Sequence, residues 1–221
     1  MRIWLDMANS PHPVLLAPVA RELETRGQQL RRPRKPVHRR TPSPRQVDGS
    51  VLWLLGGSSA VAANLRREAN ARGIAPDRVI FATRLGYSDY LRRYQLADLF
   101  LDTAPFNAGA TASDALWAGL PLITCSGEAF AGRMAGSLLH ALGLPQLVTA
   151  SLEDYERIAL RLATDRAAIE ALKAKLAQSR TTCALFDTAR FRRHIESAYQ
   201  TMWQRHQAGE PPASFTVAPM D

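Results

Sequence analysis

Cysteine is nearly absent. The only two, Cys125 and Cys183, lie far apart and form no CxxC pair, so neither a disulfide framework nor a zinc site is indicated. Long apolar runs are also missing: no stretch approaches the roughly 18 residues of a membrane span, which argues against a transmembrane segment. The opening MRIWLDMANS lacks the apolar core of a secretory signal, so a cytoplasmic protein is expected. What the chain does have is 221 residues, 46% of them hydrophobic and 22% charged, enough for a real core in one large domain or two small ones.

Acidic residues are outnumbered, giving a net charge of +8, but the excess is local. LRRPRKPVHRRTPSPRQ, residues 30–46, carries Arg31, Arg32, Arg34, Lys35, Arg39, Arg40 and Arg45 and no acid. Without those seven the rest of the chain stands at about +1. Pro33, Pro36, Pro42 and Pro44 in the same segment remove backbone donors and disfavour helix, so it reads as an extended linker. No aromatic residue is interleaved for base stacking, which places a solvated connector ahead of a nucleic-acid arm.

Before the linker, MRIWLD alternates like a strand and residues 13–27 read as a helix closed by Gly27. After it, strands are expected at residues 50–55, 78–82, 97–102 and 120–125. They alternate with helices near 60–73, 88–95, 111–118 and 129–142. Several of the strands are continuously apolar, the pattern of a parallel sheet covered on both faces. Three helices should close the chain: residues 151–165, opened by a capping-box-like Ser151 and Asp154; residues 166–180; and residues 187–206, with Asp187 as N-cap. The expected organisation is an isolated strand–helix unit at 1–28, a basic linker at 29–49, a Rossmann-like lobe with C-terminal helices at 50–207, and a flexible tail at 208–221.

The stretch LDTAPFNAGATASDALWAGLP, residues 101–121, is the candidate site. In an open parallel sheet, ligands bind outside the carboxyl ends of the strands, and this stretch is a strand end, a small-residue loop and a helix start. Gly109 offers dihedrals that other residues resist, and the helix beginning near Thr111 directs unsatisfied amides and a positive dipole end at the loop. Thr111 adds a hydroxyl. Asp114 would repel a phosphate but suits a ribose diol, so the physical expectation is a nucleoside diphosphate with its sugar. The bland alternative has Thr111 capping the helix and Asp114 solvated.

From Val51 to about Trp203 the segments VLWLL, ANLRREANARGIAPDRVIFATR, YLRRYQLADLFLDTAPFNAGATASDALWAGLPLIT, GEAFAGRMAGSLLHALGLPQLV and ALFDTARF resemble the C-terminal catalytic lobe of O-linked N-acetylglucosamine transferases, glycosyltransferase family 41, bacterial members in particular. The resemblance implies an α/β class: a Rossmann-like parallel sheet with helices on both faces, the nucleotide-sugar lobe of a two-lobed GT-B enzyme, with the N-terminal lobe largely missing here. It further implies inverting, metal-independent transfer of N-acetylglucosamine from UDP to serine or threonine hydroxyls of proteins, with no cofactor beyond the donor. Residues 1–27 resemble instead the start of GT-B-like proteins related to UDP-N-acetylglucosamine 2-epimerases.

Carried over by motif, Thr111 matches a threonine on the diphosphate, Asp114 the aspartate at the ribose, and Leu85 a backbone contact to uracil. Tyr87 stands where animal members have a nucleotide-contacting lysine, Gly109 where a histidine often packs on the uridine, and Ala110 where a second threonine binds diphosphate. The family's tetratricopeptide repeats and its diphosphate-stabilising lysine would precede VLWLL, and neither has a counterpart in this sequence. Catalytic residues are therefore unassigned. His12 is a candidate acid or base, though a loop histidine is the simpler reading; His140 and His194 read as structural or solvated, and Arg133 as facing phosphate or exposed. The alternatives are a UDP-binding or regulatory remnant, and a basic nucleic-acid-binding module. The expected partners are a UDP-sugar, a protein acceptor if the chain is active, and a chain supplying the missing lobe; a membrane partner is not expected and nucleic acid is disfavoured.

Overall fold

The structure is a computed structural model that describes residues 2–5, 47 and 49–220, the first four as backbone only. The helix expected at 13–27, most of the basic linker and His12 lie outside the described residues. Two compact units follow one another in sequence, Met1–Ala177 and Gln178–Asp221.

Among the described residues the first unit is built on six parallel strands: β1 (Arg2–Leu5), β2 (Val51–Leu55), β3 (Val79–Ala82), β4 (Leu99–Leu101), β5 (Leu122–Cys125) and β6 (Val148–Thr149). Their order across the sheet is β3-β2-β1-β4-β5-β6. It is the doubly wound arrangement, in which the chain first builds outward in one direction and then returns to build in the other. The expected isolated strand–helix unit is corrected for its strand: β1 pairs with β2 on one side and β4 on the other and occupies the middle of the sheet. A strand there has both of its backbone edges satisfied by neighbours, which no isolated unit can offer.

Burial follows from that topology. Every residue of β4 is buried, and so are Leu122, Ile123 and Thr124 of β5, whereas β2 alternates between buried and half-buried positions. Continuous apolar runs at the centre and alternation towards an edge are what a sheet covered on both faces requires. The described helices between strands are α1 (Ser59–Ala71), α2 (Tyr87–Tyr94), α3 (Ala110–Trp117) and α4 (Met134–Ala141); α5 (Leu152–Thr164) packs against β4, β5 and β6. α5 opens as expected, with the Asp154 amide donating to Ser151 Oγ at 3.1 Å. α3 ends at Gly119, whose φ of 84° allows the reversal that returns the chain to β5 with the Leu120 amide on the Ala115 carbonyl.

α6 (Arg166–Thr182) runs across the division between the units. The second unit contains α7 (Thr188–Gln207), capped by Asp187 through the Arg190 amide at 2.8 Å. Residues 210–220 hold no helix or strand, yet the Met220 amide donates to Nε2 of His194 at 2.9 Å, which accounts for that histidine.

Candidate functional site

The direction of building reverses between β1 and β4, and the loop at residues 102–109 leaves β4 at that reversal, on the carboxyl edge of the sheet. Crevices at such switch points are where open α/β sheets bind ligands. The loop is held from inside. Thr103 Oγ1 donates to the Phe106 carbonyl at 2.6 Å and Asn107 Nδ2 to the Thr103 carbonyl at 2.9 Å. A second strap, the segment between β5 and α4, lies against it: the Asn107 amide donates to the Ala131 carbonyl at 2.9 Å. The two segments approach so closely that a Cβ on Gly132 would stand 2.9 Å from the Pro105 carbonyl oxygen, which is why glycine occupies this position.

The loop delivers the chain to α3, whose N-cap is Gly109. Thr111 is therefore inside the first turn, 7% exposed, and does not cap the helix. The first intrahelical bond of the turn runs from the Ser113 amide to the Gly109 carbonyl at 3.1 Å. By helix geometry the amides of Ala110, Thr111 and Ala112 have no partner within the helix and point outward at its positive end. The conformational freedom that Gly109 offers is not used at positive φ: its φ is −103°, and a Cβ would meet only the terminal methyl of Met134 at 3.1 Å. A flexible methyl can yield, so a larger residue at this position is sterically open.

Tyr87 begins α2 and Asp114 lies on α3, and the structure joins them: Tyr87 Oη donates to Asp114 Oδ1 at 2.8 Å. The bond to that carboxylate holds the proton on the phenol and raises its pKa above the ordinary value. From Tyr87 an aromatic ladder descends α2. Tyr87 stacks on Tyr90 with centroids 6.2 Å apart, Tyr90 meets Tyr94 edge-on at 4.9 Å with their hydroxyls in contact, and Tyr94 Oη reaches the Thr111 carbonyl at 3.5 Å. One face of α2 is thereby fitted to the first turns of α3. Leu85 lies in the loop between β3 and α2 with its side chain half exposed, and Ala110 is exposed at the tip of α3. Arg133 is exposed at the N-cap of α4 and His140 is exposed in its last turn.

Residues 43–195 match the model of glycosyl transferase family 41. The chain belongs to that family. The probable UDP-N-acetylglucosamine–peptide N-acetylglucosaminyltransferase SEC of Arabidopsis thaliana is 42% identical over 178 residues, 80% of this chain and 18% of the relative. The Caenorhabditis elegans UDP-N-acetylglucosamine–peptide N-acetylglucosaminyltransferase is 37% identical over 165 residues, 75% of this chain and 14% of the relative. A solved variant of the O-GlcNAc transferase of Thermobaculum terrenum superposes with a TM-score of 0.65 at 32% identity, covering 70% of this chain and 30% of that one. The chain thus spans under a fifth of the length of these two curated relatives. The match to a solved O-GlcNAc transferase also agrees with the expected Rossmann-like α/β class.

As a family 41 chain, it brings Tyr87, Gly109, Ala110, Thr111 and Asp114 together around one helix start, while Leu85 remains on the adjoining loop. Two further residues mark the same region: Asp102, which was not singled out from the sequence, and Asn107, which the sequence offers only as a small loop residue that lets a ligand approach the backbone. Asp102, 5% exposed, accepts hydrogen bonds from the loop's own amides, and Asn107, 1% exposed, leaves Oδ1 without a hydrogen-bond partner among the described residues. A strand-ending aspartate and a loop asparagine are ordinary in sequence; burial distinguishes them. No group of three or more histidine, cysteine, aspartate or glutamate side chains poised to hold a metal ion occurs among the described residues.

The Tyr87–Asp114 bond is solvent-exposed. Tyr87→Phe is therefore expected to change unfolding stability by no more than about 0.5 kcal/mol, read from urea titration. A loss several times larger would mean that this bond closes the corner between α2 and α3.

Proposed function

We propose that this chain is the donor-binding part of a family 41 protein O-GlcNAc transferase, which holds UDP-N-acetylglucosamine while the sugar passes to a serine or threonine hydroxyl. The observation that carries the reading is the start of α3, where outward-pointing amides, Thr111 and the Tyr87–Asp114 pair converge at the sheet's switch point. In this assignment the diphosphate lies against the amides of Ala110, Thr111 and Ala112 and the Thr111 hydroxyl. Asp114 accepts from the ribose hydroxyls, and Leu85 meets the base through its backbone.

The chemistry follows from charge. The acceptor oxygen forms a bond to the sugar C1 while the bond from C1 to the β-phosphate oxygen breaks; the hydroxyl proton is lost and UDP departs with an added negative charge. A helix N-terminus at the diphosphate stabilises that departing charge more than the ground state. Ala110 supplies its amide but no hydroxyl. A missing hydrogen bond to a charged group is worth about 1.5 to 3 kcal/mol, so donor affinity should be lower than in relatives with threonine there. This substitution favours one second reading, a UDP-binding chain without transferase activity of its own. A cytoplasmic setting and a protein acceptor belong to the first reading. No described helix is long and apolar enough to cross a membrane.

Calorimetric titration with UDP tests the site. Wild-type protein should bind saturably, and Thr111→Ala with Asp114→Ala should weaken binding at least tenfold while leaving the melting curve in place. Equal affinity in the double variant would remove the assignment. Transfer of N-acetylglucosamine to a peptide, by this chain alone or with one supplying a second lobe, then separates the two readings.

A further inference from the structure

Asp102 contacts no substrate in this assignment, yet it carries a buried carboxylate at the root of the donor loop. It follows β4 directly, and its four oxygen contacts reach three parts of the fold. Oδ1 accepts from the amide of Thr103 at 2.8 Å and from the amide of Ala108, at the far end of the loop, at 2.7 Å. Oδ2 accepts from Thr124 Oγ1 on β5 at 2.6 Å. The Asp102 carbonyl accepts from Tyr155 Oη on α5 at 3.0 Å.

The sheet does not need this carboxylate. β4 and β5 are already joined by their backbones, and the Asp102 amide continues that pairing to the Ile123 carbonyl at 3.0 Å. One oxygen instead ties Thr103 and Ala108, near the two ends of the loop, to a single point, and the other fixes that point to β5. Ala108 stands two residues before α3 begins, so the tie determines where the first turn of α3 lies. An apolar residue would avoid burying a charge but would leave two inward-facing amides without an acceptor, a cost comparable to the bonds themselves.

We propose that Asp102 is the positioning residue of the donor loop: by holding the Thr103 and Ala108 amides against an anchor on Thr124, it sets the direction in which α3 presents its amides to the diphosphate. The proposal rests on the donor reading above.

Amide hydrogen exchange and UDP calorimetry test it together, on the full chain and on Asp102→Ala, Asp102→Asn and Val79→Ala. The last removes buried side-chain volume on β3 and serves as a control for general destabilisation. Asp102→Ala should accelerate exchange about tenfold or more in residues 103–112, leave peptides from β2 and β3 near wild type, and weaken UDP binding about tenfold. Asn keeps one acceptor oxygen for the two amides, so Asp102→Asn should restore loop protection and affinity to within about threefold of wild type. Val79→Ala should lower stability without either local effect. Acceleration by Asp102→Ala spread over the sheet as in the control, or none in the loop, overturns the proposal. A selectively loosened loop in a chain whose wild type binds no UDP leaves Asp102 positioning the loop and overturns the donor reading instead.

Discussion

Asp102→Asn should stabilise the protein by up to about 4 kcal/mol above pH 8 and by about 1 to 2 kcal/mol at pH 5, a difference that grows between pH 4 and 7 and then levels off. Burial pushes the Asp102 carboxyl from its ordinary 3.8 up to about 7, against the lowering effect of the bonds from Ala108, Thr124 and Thr103. A carboxyl whose pKa is raised by folding takes up a proton that the unfolded chain has already released. Its contribution to stability is complete below about pH 4 and is lost as pH climbs to 7, where the folded state carries a buried charge. At about 1.4 kcal/mol for each pH unit between those values, the loss is on the order of 4 kcal/mol.

Asparagine keeps the shape and an acceptor oxygen for the two amides without the charge. Thr124 can turn its hydroxyl to accept from the new amide nitrogen. Tyr155 on α5 also titrates nearby, but burial, then Asp102 and Cys125, hold its pKa well above the ordinary tyrosine value, outside this window. Glu156 is raised to about 7 by partial burial and by Glu153, and it affects both proteins alike, so it cancels in their difference. Urea unfolding at pH 5.5 and 8.5 is the measurement. A wild-type-minus-variant difference that is flat with pH would show that Asp102 is not the group responsible.

Phe100→Ala is the second large effect: a loss of about 3 to 5 kcal/mol, or a melting temperature lower by about 10 °C. Phe100 is 1% exposed in β4, and that strand is flanked by β1 and β5 in the middle of the sheet. Its ring lies 6.2 Å from that of Tyr94, the foot of the ladder that leads to Tyr87. Alanine would leave a hole between the sheet and α2 that paired strands cannot close. The scaffold beneath the site would weaken even though no candidate ligand contact is touched. A differential scan reads the shift directly, and one under about 2 °C would mean that β4 is not the centre of the core.

The alternation of strands and helices from Ser50 onward was legible because each signal is local. Ser151 and Asp154 sit three residues apart, and the apolar runs of β4 and β5 are continuous. The switch from strand to small-residue loop to helix likewise marked Thr111 and Asp114 as neighbours on one helix. β6 was not legible, since a strand of two residues carries no periodicity. The place of β1 was not legible either. Nothing in RIWL says that it will lie between β2 and a strand nearly a hundred residues later, because strand order depends on which edges remain unpaired once the other strands have met.

Asp102 shows the same division at the site. In LFLDT it is only the last residue of an expected strand, whereas its partners Thr124 and Tyr155 lie 22 and 53 residues away. The Tyr87–Asp114 pair, 27 residues apart, is of the same kind. The sequence by itself determined most of the elements and the start of α3, written in short-range spacing and local composition, and the resemblance of its motifs pointed to the family. The tertiary structure alone decided which strand is central, which carboxylate is buried and which side chains meet, since burial and long-range hydrogen bonds exist only after the chain has folded.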